Sequence, residues 1–171
     1  MKGRVLMSGN KDKQKHLPMI GVGPLCVSVM IGLTVAGILL SKLGLIPVLH
    51  MAVLKIPLAA GVMLILLGTV MYANALFGAK IDRHITSNTL AQTGVYAYVR
   101  NPIYSAFMMY CAAALCFADN VYLFVLLPVC WGWMTVLMKH TEEKWLFNLY
   151  GEEYTAYCRK VNRCIPWFGK R

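Results

Sequence analysis

Apolar residues run through this chain in long blocks. Residues 19–40 contain no charged side chain, and neither do residues 56–79. Within each block the apolar positions fill every face of a helix, the pattern of a helix surrounded by apolar material. About 20 such residues cross the ~30 Å hydrocarbon core of a bilayer, so each block predicts a transmembrane helix. A third apolar region, residues 103–138, is interrupted only by Asp119 and Asn120. It predicts a helical hairpin with arms at 103–117 and 121–138. At ~1.5 Å per residue the first arm reaches only ~22 Å, which makes it the shortest crossing. The expected fold is therefore all-α: one multi-pass membrane bundle over residues 1–171, with about four transmembrane helices, the last two a hairpin. Cytoplasmic amphipathic helices are expected in the C-terminal segment.

Composition strengthens this reading. The chain is 58% hydrophobic and only 14% charged, against about 25% charged residues in an ordinary soluble domain. With 171 residues, four such helices leave no room for a separate soluble catalytic domain. Any chemistry must sit in the loops, in the C-terminal segment or between the helices. The first apolar block is longer than the 7–15 residue core of a secretory signal and no small-x-small site follows it, so it reads as a retained helix. Small residues (Gly32, Ala36 and Gly37 in the first block; Gly61, Gly68, Ala75 and Ala79 in the second) predict close helix packing. Pro24 and Pro128, inside apolar blocks, predict kinks.

Charge supplies an orientation. The five Lys and Arg of residues 1–16, the three of residues 80–101 and the seven of residues 139–171 alternate with segments holding two and none. The positive-inside rule then puts both termini and the 80–101 loop in the cytoplasm, with residues 1–16 as a basic cytoplasmic tail. The formal net charge of +10 reads as this topology signal plus attraction to anionic lipid. No aromatic-basic interleaving points to nucleic acid. The six cysteines form no CxxC pair and the four histidines are dispersed, so neither a metal site nor a disulfide framework is expected.

Two segments on the cytoplasmic side are rich in polar and aromatic groups, residues 82–104 and 139–167. The hairpin joins them, so they are expected to meet. In the first, Asn101 and Pro102 have the chemistry of a helix N-cap and first helical residue. The helix terminus they open suits an anion such as a carboxylate. In the second, Thr141 is a candidate cap ahead of Glu142 and Glu143. An acidic side chain there suits a cationic ammonium group. Trp145, Leu146, Leu149 and Tyr150 predict a helix along the membrane interface. Gly151 breaks it, and a second short helix over 152–160 places Tyr154 and Tyr157 one turn apart. As caps and interfacial aromatics alone, these residues have a purely structural reading.

Taken in order, Gly94-x-Tyr96-x-x-x-Arg100-Asn101-Pro102-x-Tyr104, Glu142-Glu143-x-x-Leu146-x-x-x-Tyr150-Gly151-x-x-Tyr154-x-x-Tyr157 and Arg163-x-Ile165-Pro166 resemble the isoprenylcysteine carboxyl methyltransferase family. That family sits with the phospholipid N-methyltransferases among membrane methyltransferases. The resemblance spans residues 88–166. It implies S-adenosyl-L-methionine as cofactor, held in a cytoplasmic pocket that the C-terminal segment closes, and a lipid or lipidated acceptor. By position it implies cofactor contacts from Asn88, Thr89, Leu90, Ala91, Tyr96, Asn101, Pro102, Ile103, Tyr104 and Glu142.

Two positions depart from the family pattern. Asn101 stands where the family commonly has His. Met138 stands where the eukaryotic prenylcysteine enzymes carry the Arg that binds the substrate carboxylate. Lys139 and Arg163 are the basic residues that remain as candidate replacements. Methyl transfer to a phospholipid headgroup amine is the nearest rival reading. An NADPH-dependent sterol-type membrane reductase and a non-enzymatic membrane scaffold are the others. No second basic cluster suited to the extra phosphate of NADPH is apparent in the sequence.

Overall fold

The computed structural model describes residues 21–51, 55–78 and 89–164. Residues 1–16, Ala79, Asn88, Ile165 and Pro166, all named above, lie outside the described residues. Helix α1 spans Gly23–Lys42. Helix α2 spans Lys55–Ala73 and continues as a π-helical turn over Asn74–Gly78. After a 3-10 turn at Gly94–Ala97, α3 runs over Pro102–Phe117. A second 3-10 turn, Val121–Val125, leads into α4, Leu126–His140. Two short helices follow, α5 over Glu142–Tyr150 and α6 over Glu152–Lys160. No strand occurs among the described residues.

Three stretches, Gly23–Lys42, Ile56–Gly78 and Val121–Tyr150, are long and apolar enough to cross a membrane. The fourth, α3, is shorter. Its 16 residues rise ~24 Å, and it is the helix most enclosed by protein. It packs against α1, α2 and α4 and buries eight residues, from Pro102 to Cys116. Outer faces of α1 and α2 carry exposed Leu, Ile and Val, among them Leu39, Ile56 and Leu66, as lipid contact requires.

Small residues set the close approaches. A Cβ on Gly68 would lie 2.9 Å from the Tyr110 ring and 3.3 Å from the Ala106 carbonyl oxygen. Gly61 faces the Phe117 ring and Gly37 faces Leu126 just as tightly, whereas Gly32 has nothing within 4 Å and is not part of an interface. Pro24 and Pro128 both lie near the starts of their helices. Pro24 is the second residue of α1, where a missing N–H costs little because it has no intrahelical acceptor, and Pro128 is the third of α4, just after the 3-10 turn.

Opposite the polar segments, the bundle is closed by Asn120. Its side chain is fully buried. Nδ2 donates to Ser41 Oγ at 2.8 Å and to the Pro47 carbonyl at 3.0 Å. Oδ1 accepts from the Leu49 and Tyr122 amides. Asp119, at φ 49, accepts from the Met51 amide and pairs with His50 at 2.9 Å. These bonds hold its carboxyl below the usual range.

Candidate functional site

The two polar segments meet as their hairpin connection requires. Val99 bridges to Asn162 in a parallel pairing. The amides of Arg100 and Asn101 donate to the carbonyls of Asn162 and Arg163. Tyr157 donates from its hydroxyl to the Tyr96 carbonyl at 2.6 Å, and Gln92 donates to Glu153 at 2.8 Å. Gly151, at φ 57, turns the chain between α5 and α6, so that Tyr154 and Tyr157 point inward together, ring centroids 6.4 Å apart. Burial pushes both phenols up.

The same two segments are joined by a 2.6 Å hydrogen bond from the Tyr104 hydroxyl to Glu142 Oε1. Tyr104 stands in the first turn of α3 and Glu142 opens α5, so the bond ties the two segments at the bundle's edge. Tyr104 packs with Cys26 and Met30 of α1 and with Cys130, Met134 and Met138 of α4. Tyr96 is buried nearby against Ala75 of the π-helical turn and Ala91. Its phenol is pushed up to about 12, first by burial and then by the negative charge of Glu142. The site is thus a carboxylate held by one phenol, faced by another, at the polar end of an apolar bundle. A carboxylate in so apolar a setting favours a cationic partner.

The remaining expected residues divide. Pro102 and Ile103 form the first turn of α3 beside Tyr104, and Ile103 packs with Tyr96 and Ala91. Leu90 packs instead on Tyr154 and Tyr157, and Thr89 is exposed. Asn101 takes the N-cap position without capping. Its Nδ2 donates to the Arg163 carbonyl at 3.2 Å, so the side chain fastens the C-terminal segment. Thr141 does not cap α5 either, because its hydroxyl donates back to the Leu137 carbonyl.

Sequence reasoning missed the role of Glu143. It receives Arg163 Nε at 2.6 Å and Nη2 at 2.9 Å, and Arg100 Nη1 at 3.2 Å. The bidentate bond to Glu143 raises the Arg163 pKa further. Arg100 also reaches Cys158 and Tyr154 of α6. Adjacent acids at the start of a helix point about 100° apart, which was the one available signal that only one of them faces the bundle. Arg163 is committed to this ion pair, Met138 is fully buried in the core, and Lys139 is exposed. On the other flank of α3, an open apolar cavity of about 160 Å³ is lined by Leu64, Met108, Met109, Ala112 and Leu127, with Ser105 and Cys164 beside them.

No curated protein and no solved structure matches the chain significantly. The family model for phospholipid methyltransferases matches residues 54–153. That stretch runs from the start of α2 to the start of α6, takes in Tyr96, Tyr104 and Glu142, and covers more than half of the chain. Its helices, lipid-facing surfaces and gathered polar segments are those of a membrane methyltransferase, and the chain belongs to the phospholipid methyltransferase family.

Proposed function

We propose that the protein transfers the methyl group of S-adenosyl-L-methionine to a lipophilic acceptor at the cytoplasmic membrane face, and that Tyr104 and Glu142 mark where the two meet. The observation that carries this is the 2.6 Å Tyr104–Glu142 bond at the junction of both polar segments. The residues fit the cofactor. Glu142 presents a carboxylate to its ammonium, a charge-assisted pairing. The first turn of α3, which the Asn101 side chain leaves uncapped, offers backbone N–H groups to its carboxylate. Of the stretch that the resemblance assigns to the cofactor, Ala91 packs beside Tyr96 and Leu90 against Tyr154 and Tyr157. The cofactor supplies an electrophilic methyl on a sulfonium. The chain's part is to align donor and acceptor and to exclude water, which can supply much of the rate enhancement. Closure by α6 and the Arg100–Glu143–Arg163 cluster serves that exclusion.

The acceptor reading turns on where the described basic residues are engaged. Met138 occupies the core and Arg163 is spent on Glu143. Among the described residues, Lys139 at the surface stays a candidate partner for an acceptor carboxylate such as that of a prenylcysteine. A phospholipid headgroup amine needs no such partner, and an apolar site favours its neutral, nucleophilic form. The match to the phospholipid methyltransferase family supports N-methylation as the reading to test against the carboxyl methylation of isoprenylcysteine enzymes.

The experiment supplies methyl-labelled S-adenosylmethionine and membranes containing either phosphatidylethanolamine or a prenylcysteine. Label in phospholipid that survives mild base is the expected result. Label released by base as methanol would mean an ester, and would overturn the amine reading in favour of an isoprenylcysteine-type acceptor.

A further inference from the structure

The family match begins at residue 54, yet one wall of the candidate site comes from before it. An ideal Cβ on Gly21 would lie 2.9 Å from Glu142 Oε1, 3.7 Å from the carboxyl carbon and 3.9 Å from the Trp145 ring. One on Gly23 would lie 3.1 Å from the Tyr104 hydroxyl oxygen, with ring atoms at 3.7 and 3.8 Å. The backbone entering α1 therefore rests on both oxygens of the Tyr104–Glu142 bond. Neither glycine has a positive φ, so it is space and not backbone conformation that requires glycine here. Gly32, farther along the same helix, has nothing within 4 Å.

We infer that Gly21 and Gly23 are positioning residues of the site: they let the α1 entry close over the Tyr104–Glu142 pair and fix where its carboxylate points. The inference rests on the reading that this pair holds the cofactor. A methyl at Gly21 meets only the flexible end of Glu142 at less than contact distance. The carboxylate gives way and its bond to Tyr104 is lost, while the helix packing stays. A methyl at Gly23 crowds only the Tyr104 hydroxyl, so Tyr104→Phe removes the crowding.

The test titrates S-adenosylhomocysteine calorimetrically into the detergent-purified wild type, Gly21→Ala, Gly23→Ala, Gly32→Ala, Tyr104→Phe and the Gly23→Ala/Tyr104→Phe pair, with thermal unfolding of each. Affinity is expected to fall about tenfold in Gly21→Ala and Gly23→Ala, the loss of one hydrogen bond to a charged group. Gly32→Ala should bind as wild type, unfolding temperatures should hold, and the double variant should bind no worse than Tyr104→Phe alone. Wild-type affinity in both site variants would overturn the positioning role alone. So would affinity losses that track losses of stability and persist beside Tyr104→Phe. A wild type that binds no S-adenosylhomocysteine would overturn the cofactor reading itself.

Discussion

Single side chains decide the two ends of this molecule. At one end Asn120 uses its amide nitrogen and its acceptor oxygen for four bonds to the last turn of α1, the α1–α2 connection and its own turn. Asn120→Ala leaves those partners unpaired in a buried place, and is expected to destabilise the protein by about 2–4 kcal/mol, read by denaturant titration in micelles. At the other end, Glu142 and Glu143 are neighbours with different tasks. Glu142 turns inward to Tyr104, whereas Glu143 collects Arg100 and Arg163. Residue type alone does not separate the two, because either acid can serve a helix N-terminus. Only the positions of the arginines in space do so.

At the scale of elements, the sequence carried most of the fold. Uninterrupted apolar blocks specify α1 and α2, the Asp119–Asn120 break specifies the hairpin, and Gly151 specifies the boundary between α5 and α6. Of the residues named by resemblance, Tyr104 and Glu142 are joined by a hydrogen bond and Tyr96 packs with Ala91 and Ile103. What the sequence hid was contact across elements. Asn101 and Thr141 have the chemistry of caps, yet tertiary or back-bonding partners win their side chains. The approach of Gly21 to Glu142 spans more than a hundred residues and leaves no local pattern. Glycines likewise look alike in sequence, whereas Gly68 is pressed between α2 and α3 and Gly32 faces outward. Gly68→Ala is therefore expected to cost about 1–3 kcal/mol through overpacking, while Gly32→Ala leaves stability unchanged or slightly raised. Parallel unfolding curves in detergent compare them.

For the whole molecule, the polar segments and the Asn120 knot lie at opposite ends of an apolar bundle, so a bilayer separates them. By the positive-inside rule, the basic excess around the site end supports the proposed cytoplasmic orientation of that end. A cysteine replacing His50 and one replacing Lys160 are therefore expected to react with a membrane-impermeant maleimide from opposite sides, Lys160→Cys only when the cytoplasmic face is opened. Labelling of both from one side would refute the orientation. α3, in contact with the other three apolar helices, carries Tyr104 in its first turn, where in the proposed function an acceptor held in lipid and a cofactor from water meet.

The most direct measurement is calorimetric titration of S-adenosylhomocysteine into the folded protein in detergent, beside Glu142→Ala and with NADPH as a parallel ligand. The expected result is saturable binding, weakened about tenfold or more in Glu142→Ala by loss of a charge-assisted bond, and no binding of NADPH. Folded protein that ignores S-adenosylhomocysteine would contradict the cofactor site, and binding of NADPH in its place would make the chemistry a reduction.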